Sequence, residues 1–225
     1  MYRPLGISTA ALGTQFEPGL LAEVAVRGIT HLELFVTPGV SYFDSDEALR
    51  ALIAEAERFG LIFWSVHGPF GGPADLSCPD ELTRRRAVQM AVRALDVGEI
   101  TRARWMVIHA GFTSDEERER STRRRQGIRS INELCKLSSQ RGLGVAVEYL
   151  ATNERGLGTS SADLLELFSV VDGEPGVCMD TNHSDLAEPL ADAMRALGSR
   201  IVTVHISDHD GVRECHLMPG QGTID

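Results

Sequence analysis

The segment Gly176-Val177-Cys178-Met179-Asp180-Thr181-Asn182-His183-Ser184-Asp185 decides how this chain is read. A short apolar run leads straight into an aspartate and then a histidine. Such a run, ending in charge, reads as a buried parallel strand whose carboxyl end opens into a site. Asp180 then stands at the strand tip and His183 on the loop just beyond it. A carboxylate oxygen and an imidazole nitrogen at that spacing suit a divalent metal with open positions. Taken alone, the segment is more simply a helix N-cap aspartate followed by a loop histidine. The other strand ends reverse that balance.

Working outward, the same pattern recurs along the chain. Leu61–Val66 runs into His67-Gly68-Pro69-Phe70, and Trp105–Ile108 into His109-Ala110-Gly111. Leu143–Val147 ends in Glu148-Tyr149, and Arg200–Val204 in His205-Ile206-Ser207-Asp208. Two earlier strands, Leu5–Ala10 and Ile29–Val36, complete the set, and the second carries Glu33 among apolar neighbours, where an unpaired charge is costly. Glu33 therefore faces a polar mouth or pairs with a cation, whereas His31 reads as a structural histidine. Helices are expected over about Pro18–Arg27, Ser45–Phe59, Pro79–Gly98, Ser114–Arg141, Ser161–Val171 and Pro189–Leu197, several closed by glycine. Strict alternation of strand and helix implies a parallel sheet with helices outside. His67, His109, Glu148, Asp180 and His205 converge from separate strand ends only if that sheet curls into a (β/α) barrel of the TIM type, whose site lies on the carboxyl face. The chain ends after the seventh strand, so residues 1–225 read as a single barrel domain whose eighth βα unit is missing. Unpaired parallel edges then call for covering, homo-oligomerisation included.

Composition excludes several function classes. The chain has 225 residues, 43% hydrophobic and 24% charged, with a formal net charge of −10. That acidic field disfavours nucleic acid as a partner. Arg123-Arg124-Arg125 is offset by Asp115, Glu116, Glu117 and Glu119 and reads as a solvated helix face. The four cysteines, Cys78, Cys135, Cys178 and Cys215, form no CxxC pair and read as reduced thiols. The N-terminus lacks a signal-peptide core and no stretch is long enough to span a membrane, so a cytoplasmic protein without a membrane partner is expected. No GxGxxG, P-loop or GxSxG element is present. Gly220-Gln221-Gly222 offers backbone N–H groups to a phosphate, or serves as an ordinary turn.

The converging set is carboxylate and imidazole without thiolate, which fits a catalytic Mn, Mg, Co, Fe or Zn centre rather than a structural cysteine–zinc site. Such a metal polarises a carbonyl, or lowers the pKa of a bound water for hydrolysis. In the first case a carboxylate such as Glu148 or Glu33 moves the proton beside the carbonyl.

The ordered pieces His67-Gly68-Pro69-Phe70, Ile108-His109-Ala110-Gly111, Val147-Glu148-Tyr149, Met179-Asp180-Thr181-Asn182-His183, Val204-His205-Ile206-Ser207-Asp208 and Pro219-Gly220-Gln221-Gly222-Thr223-Ile224-Asp225 together resemble the xylose-isomerase-like barrel superfamily. That superfamily holds sugar phosphate isomerases and epimerases and an apurinic endonuclease branch. The resemblance implies that Glu148, Asp180 and His205 bind one divalent metal. It makes Glu148 and Glu154 the catalytic glutamates and gives His183 a substrate oxygen, with a sugar or sugar phosphate as substrate. Glu33, His67, His109, Arg213 and His216 are then substrate-binding candidates. The endonuclease branch implies instead more than one Zn, with His67, His109, Glu214 and His216 as further ligands. A catalytically degenerate barrel that binds sugar or metal without turnover is the third alternative. Family members normally supply a further metal-binding glutamate from the eighth strand.

Overall fold

The computed structural model describes residues 4–13, 19–151 and 156–224. Its seven strands, β1 Gly6–Ser8, β2 His31–Phe35, β3 Ile62–His67, β4 Trp105–Ile108, β5 Gly144–Glu148, β6 Gly176–Asp180 and β7 Ile201–His205, form one sheet in sequence order. Every pairing is parallel. The helices are α1 Leu20–Val26, α2 Ser41–Asp44, α3 Asp46–Arg58, α4 Glu81–Thr101, α5 Glu117–Ser139, α6 Ser161–Ser169, α7 Thr181–Ala187 and α8 Leu190–Leu197. A parallel strand must cross over to reach its neighbour, and those crossovers carry the helices along one face.

Alternation along each strand divides the side chains between two environments. Leu32, Leu34, Val66, Met106, Ile108, Val145, Val147, Val177 and Met179 join the large core beneath the helices. The opposite face carries a small cluster of Val107, Ala146 and Cys178 with Trp105 and Val202 against it, and ends in polar residues. The sheet is curled around this inner face. Trp64 Nε1 on β3 donates to Thr203 Oγ1 on β7 at 3.2 Å, and His205 on β7 reaches Glu33 on β2 at 3.1 Å. Among the described residues β1 and β7 remain the edges, giving an incomplete α/β barrel.

Two local expectations change. Gly98 does not end α4, which runs on to Thr101. A Cβ at Gly98 would lie 2.5 Å from Leu143 Cδ2 and 3.2 Å from Val66 Cγ2, so this glycine lets the helix approach the sheet. The arginine run is also more than a solvated face. Arg123 binds Asp75 and Glu119, and Arg124 binds Asp163 and Glu166, which ties α5 to its neighbours. Those guanidinium groups are committed within the protein. No helix among the described residues is long and apolar enough to cross a membrane.

Beyond β7 one carboxylate gathers several backbone donors. Asp208 pairs its backbone with Leu217, while its side chain accepts N–H bonds from His209, Gly220, Gly222 and Ile224 at 2.9–3.1 Å. The backbone N–H of Ile224 leads the donors that hold this carboxyl down to about 2. A depressed folded-state pKa means the contribution is complete above the unfolded value and lost as pH falls through the folded one. The Gly222 amide resonance is therefore expected to titrate near pH 2, rather than at the ~3.9 of free aspartate.

Inside the barrel, the Trp105 ring fills the space where Gly144 would carry a Cβ. Gly144→Ala is expected to destabilise the fold by about 1–3 kcal/mol, read as a lower urea midpoint.

Candidate metal centre and active site

Glu148, at the end of β5 and only 3% exposed, is the hub of the site. Its Oε2 lies 2.9 Å from His67 Nε2 at the end of β3 and 3.1 Å from His109 Nε2 just after β4. Its Oε1 lies 3.0 Å from His205 Nδ1 at the end of β7. Asp180 Oδ2, at the end of β6, is 3.8 Å from the same His205 nitrogen. Strand ends thus bring Glu148, Asp180, His205, His67 and His109 to one mouth, with Glu33 below them against His205.

His183 sits in the first turn of α7 rather than on a loop. Asp180 closes β6 and caps that helix at once, its Oδ1 accepting the His183 backbone N–H at 3.0 Å. Asp180 is thus both the strand tip and the helix N-cap. The His183 ring donates from Nδ1 to the Tyr149 carbonyl at 3.0 Å, so its Nε2 carries the lone pair in the neutral ring. That Nε2 lies 3.2 Å from Glu214 Oε1, is buried, and makes no aligned hydrogen bond.

The same proton accounting applies to the neighbouring rings. His67 Nδ1 donates to the Gly68 carbonyl at 2.9 Å, which leaves its Nε2 lone pair facing a Glu148 oxygen. His205 meets Glu148 through Nδ1 and Glu33 through Nε2, yet a neutral ring has one N–H. Ser65 Oγ donates to Glu33 at 2.8 Å and holds that carboxylate in place. In each case two acceptors face each other unless a cation, either a proton or a metal, lies between them.

The electrostatics agree. Burial drives the Glu148 carboxyl up, but the His205 and His109 rings outweigh it and hold it well below its usual range. Burial alone also disfavours a charged His205, and the surrounding Cys178, Glu33 and Glu148 groups reverse this, raising it well above an ordinary imidazole. Asp180 is raised, first by burial and also by the Glu148 charge beside it. Two buried carboxylates side by side are stable when a positive charge compensates both. The donor set suits a divalent metal. Ligand atoms of Glu148, Asp180 and His183, of His67, His109 and Glu148, and of His183, Glu214 and His216 each lie within 4.8 Å of one another.

Other expected site residues fall outside this cluster. His216 is linked to it through Glu214, at 2.7 Å, and is otherwise exposed. Arg213 is exposed and ion-paired with Asp210 at 3.2 Å. Glu154 lies outside the described residues. The structure adds groups that strand-end reading missed. Phe70 stacks on His109, ring centroids 4.0 Å apart, and with Phe35 packs around His67. Its place in the His67-Gly68-Pro69-Phe70 run was the available signal.

Known proteins share this fold. A D-tagatose 3-epimerase-like protein superposes with a TM-score of 0.88 at 21% identity, over 99% of this chain and 83% of that one. The D-psicose 3-epimerase of Clostridium cellulolyticum H10, solved with D-tagatose, gives 0.83 at 22% identity over 99% and 77%. At these identities the likeness is one of fold. In sequence, the y4fM protein of Sinorhizobium fredii is 26% identical over 228 residues, covering 88% of this chain and 70% of that protein. The fructoselysine 3-epimerase of Escherichia coli O157:H7 is 26% identical over 166 residues, covering 68% of this chain and 56% of the epimerase. The family model for the xylose isomerase-like TIM barrel matches residues 21–225, and the chain belongs to that family.

Proposed function

We propose that this protein is a divalent-metal-dependent sugar isomerase or epimerase that moves a proton next to a carbonyl. The observation that carries the reading is the convergence of Glu148, Asp180 and His205 on one buried mouth, with His205 backed by Glu33. The sugar 3-epimerases among its relatives and structural neighbours support the same reading.

Glu148, Asp180 and His205 would hold a divalent metal, which would supply the positive charge that polarises the substrate carbonyl. Glu33 acts from behind, accepting the His205 Nε2–H so that the Nδ1 lone pair is left on the side of Glu148 and Asp180, where it could serve as a ligand. Its role thus shifts from substrate contact to orienting a ligand. Glu148 takes the proton from the carbon beside the carbonyl, which is acidic because the resulting charge delocalises onto oxygen. Return of a proton to the other face of that carbon gives the epimer, and return to the former carbonyl carbon, with the hydroxyl proton passing between the two oxygens, gives the isomer. Glu154, outside the described residues, is the second catalytic carboxylate that the family resemblance implies. His183 meets a substrate oxygen through Nε2, because its Nδ1–H is fixed on the Tyr149 carbonyl. His67, both ring nitrogens engaged, lines the mouth, and His109, whose Nδ1 has no partner among the described residues, meets a hydroxyl group, with Phe70 forming the apolar wall.

One observation favours a second reading, a multi-zinc phosphodiesterase of the apurinic endonuclease kind. The His67–His109–Glu148 and His183–Glu214–His216 groups each bring three donors together. Against it stand the net charge of −10 and the internal commitment of Arg123 and Arg124.

The deciding experiment assays the metal-loaded protein against a panel of ketoses and against abasic-site duplex DNA. Turnover of a ketose is expected, together with a loss of about 10²–10⁴-fold in Glu148→Gln, the range for removing a general base. Cleavage of the DNA without ketose turnover would overturn the isomerase reading in favour of the hydrolase.

A further inference from the structure

The short helix α7, which carries His183, is fastened to the loop after β7 at two places. In its first turn Thr181 Oγ1 donates to the Ser207 carbonyl at 2.8 Å, and Asn182 Nδ2 donates to Ser207 Oγ and the Asp208 carbonyl at 3.2 Å each. Further along, Asp185 Oδ2 lies 3.1 Å from Nε2 of His209, a residue only 2% exposed. The partners of this ring locate its proton. The Gly211 N–H donates to His209 Nδ1 at 2.9 Å, and Thr223 Oγ1 lies 3.1 Å from the same nitrogen. Nδ1 therefore carries the lone pair, and the single N–H of the neutral ring is on Nε2, aimed at the Asp185 carboxylate. The His209 carbonyl also accepts the Thr223 N–H at 3.0 Å. One buried ring thus joins α7, the bend at Gly211 and the segment at Thr223.

Between Gly211 and Thr223 lie Glu214 and His216. Glu214 Oε1 is 3.2 Å from His183 Nε2 and 2.7 Å from His216 Nε2. His216 has a backbone φ of +45°, a left-handed conformation that a residue with a Cβ keeps only where its surroundings impose it. Those surroundings include the His209 ring at one end of the segment and the Asp208–Leu217 backbone pair at the other. On the opposite side α7 is independently fixed. Asp180 caps its start, and Glu188, just past its end, accepts from the Tyr149 hydroxyl at 2.7 Å and the Ser161 N–H at 2.6 Å. The Asp185–His209 bond transmits the position of this fixed helix to the loop.

We propose that His209 is a positioning residue: through its bond to Asp185 it holds the Glu214–His216 segment at a set distance from His183, and so shapes the part of the site that grips substrate oxygens. This rests on the isomerase or epimerase reading and adds to it. Glu148, Asp180 and His205 stand at strand ends held by the sheet. Loss of the brace therefore weakens substrate binding and spares proton transfer, which is the signature of a raised KM at unchanged kcat.

The test is steady-state kinetics of the metal-loaded protein, on a ketose that it turns over, for the wild type, His209→Leu, His209→Gln, Asp185→Ala and the double variant His209→Leu with Asp185→Ala. Leucine removes both polar ring atoms, whereas glutamine offers one donor and one acceptor. His209→Leu and Asp185→Ala are each expected to raise KM by roughly 10-fold, the lower end of the range for groups that orient a ligand-binding residue, with kcat little changed. His209→Gln is expected to recover most of the wild-type KM. The double variant is expected to be no worse than the poorer single one, because both changes remove the same link. A fall in kcat at unchanged KM, additive losses in the double variant, or no recovery by glutamine overturns the proposal. If His209→Leu does not fold, Asp185→Ala, whose side chain is 29% exposed, carries the kinetic test. If the wild type turns over no ketose, the isomerase reading has failed, and nitrogen NMR of the imidazole rings decides the brace alone. A shift of the His216 ring resonances in Asp185→Ala is then the expected result, and unchanged resonances overturn the proposal.

Discussion

The structure depends on a shortage of positive charge at the carboxyl end of its sheet. His67 and His183 each commit Nδ1–H to a backbone carbonyl and turn the other nitrogen toward a carboxylate. His205 lies between Glu148 and Glu33, and Asp180 stands beside Glu148. Protons can fill these gaps, but only by charging buried imidazoles whose desolvation opposes it. A divalent cation would fill them without charging the rings, because metal binding releases the protons that the ligands would otherwise hold. The rest of the fold serves to keep these acceptors facing one another.

How it does so is a matter of strand registry and small residues. The inner face of the sheet narrows to Val107, Ala146 and Cys178, with Gly144 yielding its volume to the Trp105 ring. A larger residue there would push β5 away from β4 and carry Glu148 with it. Asp180 couples the site to the next helix, since the carboxylate that faces His205 through one oxygen caps α7 through the other. The position of His183 is then set by the same residue that lies beside Glu148. Tyr149, immediately after the hub, fixes the His183 ring through its carbonyl, and its hydroxyl is anchored to Glu188 at 2.7 Å. The site and its supporting shell are one connected network.

Much of this is legible in the sequence because strand ends are local. An apolar run closing on His67, His109, Glu148, Asp180 or His205 advertises both the strand and the residue it delivers. The ordered pieces also carried the family, which the match over residues 21–225 bears out. What could not be read are the pairings that depend on curvature. Glu33 and His205 are 172 positions apart and meet only because β7 swings across toward β2. Tautomers were equally hidden, since they follow from which carbonyl each ring happens to reach. Gly98 resembled a helix terminator because a glycine required for close packing has the same letter as one required for a turn. Gly220-Gln221-Gly222 resembled a phosphate cradle for a related reason: its N–H groups do bind an anion, but the anion is Asp208.

The imidazole–carboxylate cluster is proposed as a divalent-cation site. It is tested most directly by elemental analysis of protein purified without chelator, normalised to the intact mass of the chain. About one Mn, Mg, Co, Fe or Zn per chain, removable by chelation and absent from Glu148→Gln, is the result expected from a donor set of this kind. No bound metal, even after soaking with each of these ions, would contradict it, and protons alone would then account for the facing acceptors.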